Sequence, residues 1–351
     1  MPAPAPSMGT ALLAAIVLVL LLVELVMIPA QAAAWATWLR RSVGYEVDTM
    51  FLRLRIYKYL PQLSRTKLLR DMALIEQQYA AHPYHGPHHA ADVVGKCGAM
   101  LRRDKAKLRR WMRERVGKGI VGCITERRYA LFELAVVLAA AFHDAGHPGL
   151  NNGYLQNSQD PRFQAYEYTA ERYSGQWFRH EFMQEQTFLN DLPAAEREFV
   201  VEVASYAVLK TDMRMHQNVL AMADPEETDP LKRLAALLLH AADLANGADA
   251  WSISKLWAHW CHREFHSQGD ASKQDHPELT VDTIFDREKA NVPASQLYFV
   301  EQLVAPTFQA LEQCCPATAA LGLRGCRANA AQCKAIIEQQ AEQQEAMPRL
   351  L

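Results

Sequence analysis

Residues 129–152 read Y-A-L-F-E-L-A-V-V-L-A-A-A-F-H-D-A-G-H-P-G-L-N-N. Apolar residues recur at three- and four-residue spacings through 129–143, which predicts a helix. Pro148 disfavours helical geometry at His147, and glycine supplies a break, so the helix should end near Gly146–Gly149. Its last turn then carries His143 and Asp144. Neighbours lie about 100° apart round a helix, yet these two side chains differ in length, so one metal is within reach of both.

The same residue types return at two distant places. His89 sits in Y-H-G-P-H-H-A-A-D-V (84–93) and Asp243 in H-A-A-D-L-A-N (240–246). Imidazole and carboxylate together make a site for Zn²⁺, Mg²⁺ or Mn²⁺, and hydrated metals cut phosphoesters. His89 and Asp92 are three apart and share a helix face, as do His240 and Asp243. Asp144 carries two oxygens and can bridge two metals ~3.5–4 Å apart. A lone H-D dipeptide means nothing, and His240 by itself reads as a satisfied core histidine. Asp243 is harder to dismiss. It lies among leucines and alanines, where a carboxylate is costly unless paired or metal-bound. All elements in order, on helices, favour the metal reading.

The rest of the chain frames this site. It has 351 residues, half of them hydrophobic, and a net charge of −2. That allows a sizeable core and does not point to a nucleic-acid partner. The basic run 102–118 reads first as a solvated helix face. Seven cysteines with no C-x-x-C pair suggest neither a zinc ribbon nor a disulfide framework. Helical spacing also runs through 65–80, 196–209, 231–245, 253–265, 295–312 and 329–341, and no stretch alternates convincingly. Asp191-Leu-Pro and Asp229-Pro230 read as helix starts. The expected fold is all-α: one compact multi-helix domain over 45–320, followed by a Gln/Glu-rich helix or tail over 321–351.

Residues 1–44 differ. From Ala11 to Ile28 every residue but Glu24 is apolar, long enough with its extension to Ala34 for a membrane helix. A secretory signal peptide ending at Ala30-Gln31-Ala32 is the rival reading, but residues 1–10 carry no Lys or Arg. Arg40, Arg41, Arg53, Arg55 and Lys58 come after the run, which places the C-terminal side in the cytoplasm. A single-pass anchor is therefore expected, with Trp35 and Trp38 at the interface.

From about residue 70 to 312 the chain resembles the class I 3′,5′-cyclic nucleotide phosphodiesterases, a branch of the HD-domain metallohydrolases. The strings that carry the resemblance are the three above with L-K-T-D-M (209–213), E-F-H-S-Q-G-D (264–270) and P-A-S-Q-L-Y-F (293–299). The spacing H-D-x-x-H-x-x-x-x-N, here His143, Asp144, His147 and Asn152, is specific to that family. The resemblance implies that His89, His143, Asp144 and Asp243 hold one metal, usually zinc. Asp144 would also hold a second, usually magnesium or manganese. His147, Asp212 and, by spacing alone, Glu171 would surround the metal waters. His85 matches the general acid. Gln296 matches the glutamine that bonds the purine, Phe299 the ring stacked on it, and Cys261 the opposing residue. Tyr84 and Asn246 also fall at the substrate. A cyclic nucleotide, the membrane and a second copy of the chain are the expected partners. The chain departs from the family at Gly86, usually Asn, at Gly146, often Asp, and after Glu171, where a histidine pair is missing. A generic nucleotide phosphohydrolase and a non-catalytic cyclic-nucleotide-binding relative are the alternatives.

Overall fold

The computed structural model describes residues 42–116, 125–183, 186–222, 227–277 and 280–346. Among them lie fifteen α-helices and no strand, so the fold is all-α as expected. In chain order they are α1 (Val43–Leu54), α2 (Ile56–Tyr59), α3 (Arg65–Glu76), α4 (Pro87–Arg103), α5 (Lys105–Arg115), α6 (Glu126–Phe142), α7 (Asn152–Asn157) and α8 (Ala170–Phe182). These are followed by α9 (Ala194–Leu209), α10 (His216–Leu220), α11 (Pro230–Leu244), α12 (Trp251–Asp275), α13 (Val292–Tyr298), α14 (Ala305–Ala310) and α15 (Pro316–Ala346).

Helix α6 is the centre. Thr125 caps it by accepting from the Arg128 N–H, and every residue from Tyr129 to Phe142 is buried. A helix apolar all round must be surrounded, and α1, α4, α9 and α11 pack on it. Its end is fixed by Phe142, whose ring stacks on Phe178 of α8 with centroids 3.6 Å apart. The central position of α6 delivers His143 and Asp144 to the end of the core.

One expectation lies outside the described residues, and several others are corrected. The span expected over 11–28, with Trp35 and Trp38, lies outside the described residues; within them no helix is long and apolar enough to cross a membrane. Helix α1 begins at Val43, inside the segment assigned above to the anchor, with Ser42 as its cap. The boundary at 320 falls inside α15, whose Cys326, Asn329, Ala330 and Cys333 are buried. Asn329 donates to the carbonyls of Gly247 and Asp249, so the C-terminal helix holds the turn after Asn246. Asp229 does cap α11, accepting from Leu231. Asp191 instead accepts from the Ser64 N–H and pairs with Lys67, tying α3 to the segment before α9. Asp92 turns from the histidine face to Lys96. The basic run forms the end of α4 and then α5, with Leu108, Trp111 and Met112 buried beneath it.

Candidate metal centre and active site

Three helix ends meet at the site. Helix α4 brings His89 in its first turn, α6 ends at His143, and α11 carries Asp243 in its last turn. His143 and His89 are each 1% exposed. His89 Nε2 lies 2.9 Å from an Asp243 oxygen and 3.7 Å from Asp144 Oδ2. His143 Nε2 lies 3.1 Å from that same Asp144 oxygen and 3.6 Å from Asp243. His143 Nδ1 bonds the Ala140 carbonyl, which fixes the ring and leaves Nε2 for the cluster. That Nε2 is buried and faces both carboxylates without a well-aligned hydrogen bond to either. His89, His143 and Asp144 offer ligand atoms within 4.8 Å of one another. Two imidazoles and two carboxylates converging in this way fit a divalent cation.

The charges are mutually dependent. Burial would raise the Asp144 carboxyl, but His143, His85 and His147 hold it well below the usual carboxylate range. Asp243 is likewise lowered, against its burial, by His143 and His89. Burial depresses His143, and the two carboxylates reverse this and hold it well above the ordinary histidine value. A dication would take over the part these histidine protons play.

His85 lies outside the ligand cluster. Its Nδ1 is 2.6 Å from Glu264 Oε2 on α12, and Glu264 also accepts the backbone N–H groups of Tyr84 and His85. Burial lowers the His85 imidazole, but Glu264, Asp144 and Asp243 leave it raised overall. Glu264 itself is brought down to about 2, against burial, by His85 and those N–H groups. His147 stacks on His85 with centroids 3.9 Å apart. Burial and the neighbouring His85 push His147 down to about 3, so it is neutral at pH 7. The Gly149 N–H donates to its Nδ1, which places its own proton on Nε2.

Asn152 accepts from the Ala170 N–H and donates to Glu171, so it ties the HD loop to α8. Burial and nearby Asp212 push Glu171 up to about 7. Asp212 caps the turn beginning at Met213 and pairs with Arg214 at 2.6 Å. A cavity of about 520 Å³ opens onto these groups. Its walls include Tyr84, His85, Asp144, His147, Glu171, Asp212, Asp243, Asn246, Cys261, Gln296 and Phe299. Every candidate site residue lines it except His89 and His143, which lie buried behind. Asn246 donates to the Tyr84 hydroxyl at 2.6 Å. Phe299 opens a π-helical turn, Phe299–Val304. Pro306 comes two residues later and cannot donate to residue 302, which disfavours a continuous α-helix there.

The chain matches the family model described as 3′5′-cyclic nucleotide phosphodiesterase over residues 84–326. The chain belongs to this family. The match starts at Tyr84, the first residue of the histidine segment, and ends within α15. The dual specificity calcium/calmodulin-dependent 3′,5′-cyclic nucleotide phosphodiesterase 1B of Mus musculus is 30% identical over 294 residues, covering 77% of this chain and 50% of that protein. The similarly named phosphodiesterase 1C is 30% identical in Mus musculus and 29% identical in Homo sapiens. In both, 77% of this chain aligns with 36% of the relative. The chain thus spans half the length, or less, of these curated relatives.

The departure at Gly146 has a structural counterpart. Gly146 has φ +77, and a Cβ there would overlap the ring of Tyr173, which lies two residues after Glu171. Ser174 donates to the Ala145 carbonyl. The aromatic ring fills the space that a side chain at 146 would need. At Gly86 a Cβ would meet the His82 carbonyl at 2.9 Å and the His88 ring at 3.0 Å, so two local histidines crowd that position.

Sequence reasoning passed over Glu264, although it opens the string E-F-H-S-Q-G-D. It also passed over Trp257, whose ring lies edge-on to Tyr84 and His89, and Arg214 beside Asp212.

Proposed function

We propose that this domain hydrolyses 3′,5′-cyclic nucleotides to 5′-monophosphates and so ends a second-messenger signal. The observation that carries this is one cavity joining the His/Asp cluster to Gln296 and Phe299. A generic nucleotide phosphohydrolase needs only the cluster. His89, His143, Asp144 and Asp243 would hold a first metal, with zinc the natural choice for two imidazoles and two carboxylates. Asp144 would share a second, magnesium or manganese. Two such cations would supply positive charge for the phosphate and a nucleophile from water at neutral pH.

The chain's own groups do the rest. His85 donates the proton that the departing 3′-oxygen requires, from Nε2, because Nδ1 is held by Glu264. Glu264 keeps that imidazole protonated and aimed. His147, Glu171 and Asp212 order the water around the phosphate. Phe299 and Cys261 offer apolar faces to the base, and the Gln296 amide meets its edge. An amide carries both a donor and an acceptor, so by turning it can serve adenine or guanine. This favours dual use of cyclic AMP and cyclic GMP. Steady-state assays of both cyclic nucleotides beside a panel of 5′-nucleotides test the reading. It requires turnover of the cyclic substrates and little of the others.

We further propose that residues 11–28 hold the chain at a membrane with the domain on the cytoplasmic side. The basic residues after the apolar run support this orientation.

A further inference from the structure

Helix α1 buries Val43, Val47, Met50, Phe51 and Leu54, yet Tyr45 and Leu52 are 63% and 55% exposed. They are seven residues apart and therefore on one side of the helix. The carboxylates of α1 and α3 are withdrawn: Glu46, Asp48 and Asp71 are buried. Asp48 and Asp71 are paired with Arg65 and Arg70, and Glu76 accepts the Val43 N–H. Arg53, Arg55 and Lys58 are exposed, and no carboxylate pairs with them among the described residues. The exposed charge of 43–60 is thus wholly basic, and Arg53 directly follows exposed Leu52 in the chain. Arg55 forms the joint between α1 and α2 at φ 60. Glycine would adopt that left-handed backbone freely, so an arginine is placed there against local preference.

We propose that this α1–α2 face lies on an anionic lipid bilayer. Apolar side chains enter the headgroup boundary while basic ones meet the phosphates. The apolar run 11–28 precedes α1 by a short stretch that adds Arg40 and Arg41. A bilayer is therefore the partner that both the charge and the preceding sequence fit. The proposal deepens the membrane reading given above and rests on it for the chain's presence at the surface. It adds a second, charge-dependent contact made by the folded domain.

The test uses the full chain with vesicles of phosphatidylcholine alone, or with roughly a third phosphatidylserine. Pelleting reports the anchor. Acetylation of Lys58 by an N-hydroxysuccinimide ester, read by mass spectrometry, reports the face, with exposed Lys255 as control. An anionic surface gains about fivefold in affinity per basic side chain. Phosphatidylserine should therefore lower Lys58 labelling at least about fivefold and leave Lys255 unchanged. Arg53→Glu with Arg55→Glu should restore Lys58 labelling while the chain still pellets. Equal Lys58 labelling on both vesicle types, with the chain pelleted, overturns the docking face and spares the anchor. Shielding of Lys58 without vesicles also overturns it and points to a second copy of the chain. Failure to pellet with phosphatidylcholine overturns the anchor. If phosphatidylserine then gives no Lys58 footprint, the face falls with it.

Discussion

Glu264 Oε2 stands 2.6 Å from His85 Nδ1, and the carboxylate accepts two backbone N–H groups beside it, so it is fixed before the imidazole is. Glu264→Gln keeps the shape and removes the charge that holds His85 up. The fraction of protonated His85 then declines at lower pH. We expect kcat/KM to fall about 10–100-fold and the alkaline limb of its pH profile to move to lower pH. A pH–rate series on both enzymes checks this, and an unmoved alkaline limb would refute the role given to Glu264.

Gly146 and Tyr173 are fitted to each other. Gly146→Asp should destabilise the chain by about 1–3 kcal/mol through overpacking against the ring. Adding Tyr173→His should recover part of the loss. Denaturant midpoints of the single and double variants give the coupling directly, and strict additivity would contradict it.

Glu133 is the buried carboxylate of α6, 1% exposed, with Lys105 3.8 Å away. Burial outweighs Lys105 and Arg109 and raises it to about 8 from 4.5. The native chain therefore keeps a proton that the unfolded chain releases, and this residue's contribution to stability falls as pH rises from about 4.5 through 8. Glu133→Gln should remove that slope and add about 2–4 kcal/mol above pH 8. Urea unfolding at pH 6 and pH 9 measures it.

Most residues of the candidate site could be read from sequence because they sit in short strings. His143, Asp144 and His147 share one loop, and α6 announces itself by its apolar run. Glu264 escaped because nothing local links it to His85, 179 positions away. Asp191 misled because a capping residue and a long-range acceptor have the same sequence signature. The continuation of the domain through Asn329 was hidden by the Gln/Glu-rich character of the last turns of α15. The packing of Tyr173 on Gly146 joins two positions that look unrelated in one dimension.

Gln296 should act through binding. On the reading proposed above, Gln296→Ala removes an amide that would meet the base in ground and transition states alike. KM for both cyclic nucleotides should rise about 10–100-fold with kcat little changed. A selective loss with only one of them would show that the amide is not free to turn.

The central claim is that the His89–His143–Asp144–Asp243 cluster holds the metals that cleave a cyclic phosphodiester. Its most direct test is one preparation of the full chain, assayed with cyclic AMP and cyclic GMP while bound metal is counted, beside Asp243→Ala. The account predicts that the wild-type chain yields 5′-monophosphates and that the variant loses both bound metal and at least about a thousandfold in rate. Full activity in Asp243→Ala, or a metal-replete wild-type chain that turns over neither cyclic nucleotide, would contradict it.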